Sequence, residues 1–132
     1  MSCFVSHTTI DCGDAWALSQ WWKKVLDYVD VDGDPNLPGH EECMIRDAAT
    51  GHRLLFIEVP EPKAAKNRLH LDLRPREGGR DDEVARLREL GAVEVADLRG
   101  IHGPGSGWVV LADPEGNEFC VLRSEAELAA SL

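Results

Sequence analysis

No run of apolar residues in this 132-residue chain approaches the roughly 20 needed to cross a bilayer. The N-terminus, MSCFVSHTTIDC, lacks the basic stretch and the following apolar run of a secretory signal. Positive charge is scarce as well: 14 Lys and Arg stand against 24 Asp and Glu, a formal net charge of −10. The basic residues are scattered, which excludes the usual signatures of a nucleic-acid or anionic-membrane partner. Cysteine is sparse. Cys3, Cys12, Cys43 and Cys120 show neither CxxC pairing nor the density of a disulfide scaffold, so reduced thiols in a cytoplasm are expected. A Ser/His/Asp nucleophile arrangement is not evident, and GPGSG (103–107) lacks the Lys and the following helix of a phosphate-binding loop. A soluble, cytoplasmic protein is therefore expected, long enough for one domain with a substantial core.

What is present is periodicity. NRLHLDLRP (67–75) alternates Leu69, Leu71 and Leu73 with Arg68, His70, Asp72 and Arg74, a half-buried strand whose leucines pack inward and whose His70 and Asp72 share the other face. CFVSHTTIDC (3–12) reads as an earlier strand, with Asp11, Gly13 and Asp14 supplying turn and helix-start chemistry. A helix over 14–29 follows, its stripe formed by Ala15, Leu18, Trp22, Val25, Leu26 and Val29. The Trp21-Trp22 pair is assigned to helix packing, with its exposed member at a subunit contact. YVDVD (28–32), ECMIRDA (42–48) and RLLFIEV (53–59) complete a β-α-β-β-β set.

The order then repeats. After the strand at RLHLDLR (68–74) comes a helix over 80–90, opened by Asp81 or Asp82 and closed at Gly91. Strands at AVEVADL (92–98), GWVVLAD (107–113) and NEFCVLR (117–123) follow, then a short helix in SEAELAASL (124–132) with Ser124 and Glu127 as a capping box. RGIHGPGSG (99–107) is expected to be an irregular, mobile loop. The predicted fold is α+β: two β-α-β-β-β modules, about 1–66 and 67–132, in a single domain produced by duplication. His7 and His70 stand 63 residues apart in the opening strands of the two halves, and paired concave sheets would bring them to one cavity.

The turn LADPEGNEFCVLR (111–123), the HLDL strand (70–73) and the opening HTTID (7–11), in a doubled β-α-β-β-β frame, resemble the vicinal oxygen chelate superfamily of glyoxalases, extradiol dioxygenases and bleomycin-resistance proteins. The likeness covers nearly the whole chain, and VPEPKAAKNRLHLDLRP followed by DPEGNEFC resembles its glyoxalase-like branch. The resemblance implies one divalent ion held by first-strand and fourth-strand side chains of each half, usually His, Glu or Gln, His and Glu. His7 matches the first position and His70 the third. The second falls at Ile57 or Glu58, and adjacent strand residues point to opposite faces, so a shift of one decides whether a ligand is missing. Cys120 stands at the fourth position, and Glu118, two residues earlier on the same face, is a substitute carboxylate. The implied ligand set is thus His7, Glu58, His70 and Cys120, holding one ion of Zn, Fe, Ni or Mn, or none. The superfamily further implies a homodimer.

Each candidate has an ordinary alternative. His70 and Asp72 form either a pocket-lining imidazole with its orienting carboxylate or a structural polar pair. Cys120 is either a ligand or buried bulk between Phe119 and Val121. Trp108 stacks on a ligand or belongs to the core, and His102 closes over the site or stays in solvent. His40 and His52 are read as exposed turn residues, and DPEGNEF as a structural turn in which Asp113 bonds the backbone ahead and Gly116 takes positive φ. Two functions follow. One is an enzyme acting on a small organic molecule as a lyase, isomerase or dioxygenase, with His7, His70, Asp72 and Glu118 in catalytic roles. Glyoxalase I activity is disfavoured because it needs the full ligand set. The other is a metal-free binder of a small cationic or aromatic molecule, with Trp108, Cys120 and His102 as ligand contacts, as in the resistance-type members.

Overall fold

The computed structural model describes residues 1–131 and divides into two compact units, Met1–Lys63 and Ala64–Leu132. Leu132, the last residue of the predicted C-terminal helix, lies outside the described residues. Each unit carries one four-stranded mixed sheet, so the fold is α+β as the periodicities predict.

In the first unit, β1 (Thr8–Cys12), α1 (Ala15–Leu26), β2 (Val29–Asp30), β3 (Glu42–Arg46) and β4 (Arg53–Glu58) give the sheet order β1-β4-β3-β2. β1 runs parallel to β4, and the other pairs are antiparallel. The helix-facing side is built by alternation. Cys12, Cys43, Ile45, Leu54 and Phe56 are buried there against α1, whose Leu18, Trp21, Trp22 and Val25 are buried in turn. Both members of the tryptophan pair are covered, Trp21 at 8% exposure and Trp22 at 1%, in an edge-to-face contact with centroids 5.3 Å apart. The expected exposed tryptophan is therefore absent, because the buried stripe of α1 is wide enough to include Ser19 and Trp21. The first strand is also shorter than the sequence reading: its pairing on β4 starts at Thr8↔Leu54, β4 itself starts at Arg53, and residues 3–7 have no strand partner.

The second unit repeats the plan with β5 (Leu71–Leu73), α2 (Arg80–Glu89), β6 (Val93–Asp97), β7 (Val109–Ala112) and β8 (Glu118–Val121), ordered β5-β8-β7-β6, and adds α3 (Glu125–Ala130). Phe119 and Val121 of β8, Val109 and Leu111 of β7, and Val84 and Leu87 of α2 form its core. Leu71 and Leu73 pair beside Phe119 and Val121 on the same side. Leu69 does not join them. It precedes β5, which pairs only over three residues, and it is 88% exposed. The DPEGNEF turn is structural: buried Asp113 accepts hydrogen bonds from the Glu115 and Asn117 backbone N–H groups at 2.9 and 3.0 Å, and Gly116 takes φ 88°.

Both principal helices take a carboxylate from later in their own unit at the first free N–H. Asp14 caps α1 conventionally, accepting from Ala17 N, while Glu58 Oε2 of β4 accepts from Ala15 N at 3.1 Å. α2 starts from Gly79, not from Asp81 or Asp82, and has no side-chain cap of its own. Glu127 of α3 supplies the acceptor: its Oε1 takes the Arg80 backbone N–H at 2.7 Å and the Ser124 backbone N–H at 2.9 Å, so one carboxylate closes the capping box of α3 and tethers α2. These bonds, led by that from Ser124, hold the Glu127 carboxyl below its ordinary 4.5. A depressed carboxylate stabilises the fold fully above the unfolded value and loses that contribution as pH falls through the folded one. Glu127→Ala is expected to cost about 1–2 kcal/mol at neutral pH, as urea unfolding would measure, with the difference from wild type shrinking toward pH 4 and below.

Candidate functional site

The face of the second sheet opposite α2 carries the polar residues of the alternation. In register, Asp72 lies beside Cys120, Cys120 beside Val110, and Val110 beside Ala96. These positions, with Lys66, His70, Val95, Leu98, Trp108, Glu118 and Leu122, line a cavity of about 600 Å³. Its wall is unequal in character. Trp108, Val110, Leu122, Leu98 and Val95 make an apolar expanse, and Lys66, His70, Asp72, Glu118 and Cys120 collect the polar atoms.

The polar end is closely knit. His70 Nε2 lies 3.3 Å from Asp72 Oδ1, with both side chains about half exposed. Glu118 is mostly buried and pairs with the Lys66 ammonium, and its backbone N–H donates to Asn67 Oδ1 at 3.2 Å. Cys120 is 5% exposed, and burial, followed by the neighbouring negative charge of Asp72, pushes its thiol up to about 11. One ligand atom each from His70, Asp72 and Cys120 can be chosen so that all three lie within 4.8 Å of one another. Around a tetrahedral ion with bonds near 2.0 to 2.3 Å, donors sit roughly 3.3 to 3.8 Å apart, a spacing comparable to that of this set. An imidazole, a carboxylate and a thiol therefore fit a borderline-soft divalent ion.

The structure thus brings together five residues singled out in the sequence: His70, Asp72, Trp108, Glu118 and Cys120. His7 belongs to the other unit, half-buried just before β1, with its Nδ1 2.9 Å from the Ser6 hydroxyl. The ambiguity between Ile57 and Glu58 resolves by register. Ile57 pairs with Asp11 and Glu42 on the open side of its sheet, whereas Glu58 follows Phe56 to the helix side and binds the start of α1. Glu58 is committed as a helix cap and leaves the ligand set, because a one-residue step along a strand reverses the face. His102 is exposed and does not line the cavity, and its backbone N–H donates to Ser106 Oγ at 3.0 Å. Lys66 was missed by the sequence reading. It lies in an irregular polar connection with no local periodicity to announce it, and only the fold sets it against Glu118.

The family model of the glyoxalase-like domain matches residues 7–122. No curated protein matches the chain. Among solved structures, a possible glyoxalase from Bacillus cereus is 16% identical, covers 92% of this chain and 99% of its own, and superposes with a TM-score of 0.64. A fosfomycin resistance protein, FosX, from Listeria monocytogenes, solved with Mn(II) and 1S,2S-dihydroxypropylphosphonic acid, is 16% identical, covers 100% of both chains and gives 0.67. A protein from Agrobacterium tumefaciens solved by NMR is 16% identical over 92% of this chain and 97% of its own, with a TM-score of 0.70. At such identities the structures show a shared fold, and the match of the family model over most of the chain shows the family. This chain belongs to the glyoxalase-like domain family.

Proposed function

We propose that the open face of the C-terminal unit binds a small organic molecule, holding an apolar or aromatic body against Trp108, Val110 and Leu122 and a polar group at His70, Asp72 and Glu118. The observation that carries this reading is the division of one 600 Å³ cavity into an apolar wall and a compact polar end. An acidic pair at that end, with its single ammonium already engaged by Glu118, suits a neutral or cationic polar group. Thermal-shift screening of small aromatic compounds, neutral and cationic, tests it. Hits are expected to stabilise wild type and to lose about tenfold in affinity in Trp108→Ala, the magnitude of one good aromatic contact. A panel with no stabilising compound, or hits indifferent to Trp108, would count against the cavity as the binding site.

A second reading, metal-dependent lyase, isomerase or dioxygenase chemistry, is favoured by the convergence of His70, Asp72 and Cys120. Those three residues would hold the ion, and thiolate with imidazole prefers Zn²⁺, Fe²⁺ or Ni²⁺ over Mn²⁺. A bound ion would supply Lewis-acid polarisation of a substrate oxygen. The chain's own part would be to orient the ligands and set the local charge: Asp72 orients the His70 ring, and Glu118 and Lys66 set the charge beside it.

A further inference from the structure

Arg80 is the first residue of α2, and its side chain is nine-tenths buried. Its Nε has no hydrogen-bond partner among the described residues, only Asp81 Oδ1 at 3.7 Å. Filling space with a guanidinium in this state is unfavourable, since a buried donor without an acceptor loses its hydration for nothing. What the side chain does supply is a donor at depth. Nη1 donates to the carbonyl oxygens of Gly107 at 2.9 Å and Ser106 at 3.4 Å, the last two residues of the glycine-rich loop. The next residue is Trp108, the one aromatic side chain on the cavity wall.

The base of that loop is tight. Gly107 has φ 85°, and a Cβ there would run into the carbonyl oxygen of Leu98. Leu98 also lines the cavity, and its N–H donates to the Trp108 carbonyl at 2.9 Å. Two more arginines fix the loop along its length. Arg99 joins Asp97 and Asp81 at 2.7 and 2.8 Å, and Arg123 Nη1 donates to Gly105 O at 2.8 Å. The base of the loop is thus tied by hydrogen bonds and an ion pair to the start of α2.

We infer that Arg80 is a positioning residue for the ligand cavity, holding Trp108 and Leu98 in place through the carbonyls of Ser106 and Gly107. The inference rests on the cavity being the ligand site, but its test does not require a ligand. In protein labelled with 5-fluorotryptophan, the ¹⁹F resonance of Trp108, assigned with Trp108→Phe, is expected to shift or broaden in Arg80→Met. Those of Trp16, Trp21 and Trp22, all in the other unit, keep their positions. Arg80→Lys keeps a charge and one donor able to reach Gly107 O, and should give a smaller change of the same sign. Amide exchange supplies the magnitude: Leu98 and Gly100, which bond Trp108 O and Ser106 O across the loop base, lose about tenfold in protection, while Leu90, bonded to Arg86 O within α2, does not.

A purely structural arginine would raise exchange in α2 and the loop together and leave the Trp108 signal of the folded protein where it was, and that result overturns the inference. Should Arg80→Met fail to fold, Arg80→Gln, too short to bring a donor to the carbonyls of Ser106 and Gly107, carries the same decision. A Trp108 resonance superimposable on wild type in the glutamine variant, with unchanged Leu98 exchange, would likewise overturn it. Absence of any bound compound in the thermal-shift screen would remove the ligand reading and leave the Arg80 result standing as a statement about the wall.

Discussion

Phe119→Ala is expected to lower stability by about 3–5 kcal/mol and the melting temperature by roughly 10–20 °C, whereas Leu69→Ala is expected to change it by less than about 0.5 kcal/mol. Phe119 is 1% exposed, sits between Glu118 and Cys120 on β8, and turns toward α2 with Val121 while its neighbours turn to the cavity. Truncation removes the largest fully buried side chain of the second unit's core and leaves a void bounded by β-sheet on one side, which cannot collapse freely. It also loosens the backbone that presents Cys120, so the variant should lose any ligand or metal affinity along with stability. Leu69 has the same chemical type and the same alternating pattern, but it is almost fully solvated. Urea unfolding of the two variants measures the difference, and comparable losses in both would mean that β5 continues through Leu69 into a packed strand.

That contrast shows what alternation conveys and what it does not. The period of a strand is local, so β3, β4, β7 and β8 and their buried faces follow from residues such as Cys43, Ile45, Leu54, Phe56, Leu111 and Phe119. The end of a strand depends on its partner. CFVSH reads as β-structure, yet pairing starts at Thr8 because β4 starts at Arg53, and β5 ends short of Leu69 for lack of a neighbour. Facing has the same dependence at Ile57 and Glu58, where one step of register separates an open-face residue from a helix cap. Helix starts show it again: Ser124 and Glu127 announce their capping box in sequence, but nothing near Gly79 announces that Glu127 also serves α2, 47 residues from Arg80. For the site, His70, Asp72, Glu118 and Cys120 are legible because two parallel strands place alternate residues on one face. Lys66 and Arg80 act through contacts that only tertiary structure creates.

Zinc binding at His70, Asp72 and Cys120 is expected to strengthen by about tenfold for each pH unit between roughly pH 7 and 9, and to fall by at least about 100-fold in Cys120→Ser. The sign follows from the thiol. Without metal it stays protonated up to about 11, so coordination as thiolate releases one proton and the apparent association constant rises with pH. Asp72 works on both sides of this balance: its charge raises the thiol in the free protein, and its carboxylate offers an oxygen to the ion. Asp72→Asn should therefore weaken zinc less than Cys120→Ser does while preserving the slope, and Cys120→Ser should flatten the slope as well as lower the constant. His70→Ala removes the imidazole and is expected to lose zinc without altering the thiol's proton release. Competition titrations with a chromogenic chelator across this pH range measure all four proteins, and thermal shift with added zinc checks that the bound state is the folded one. A zinc affinity independent of pH, or equal in wild type and Cys120→Ser, would sink the metal reading and leave the half-apolar cavity as a binding site for an organic molecule alone.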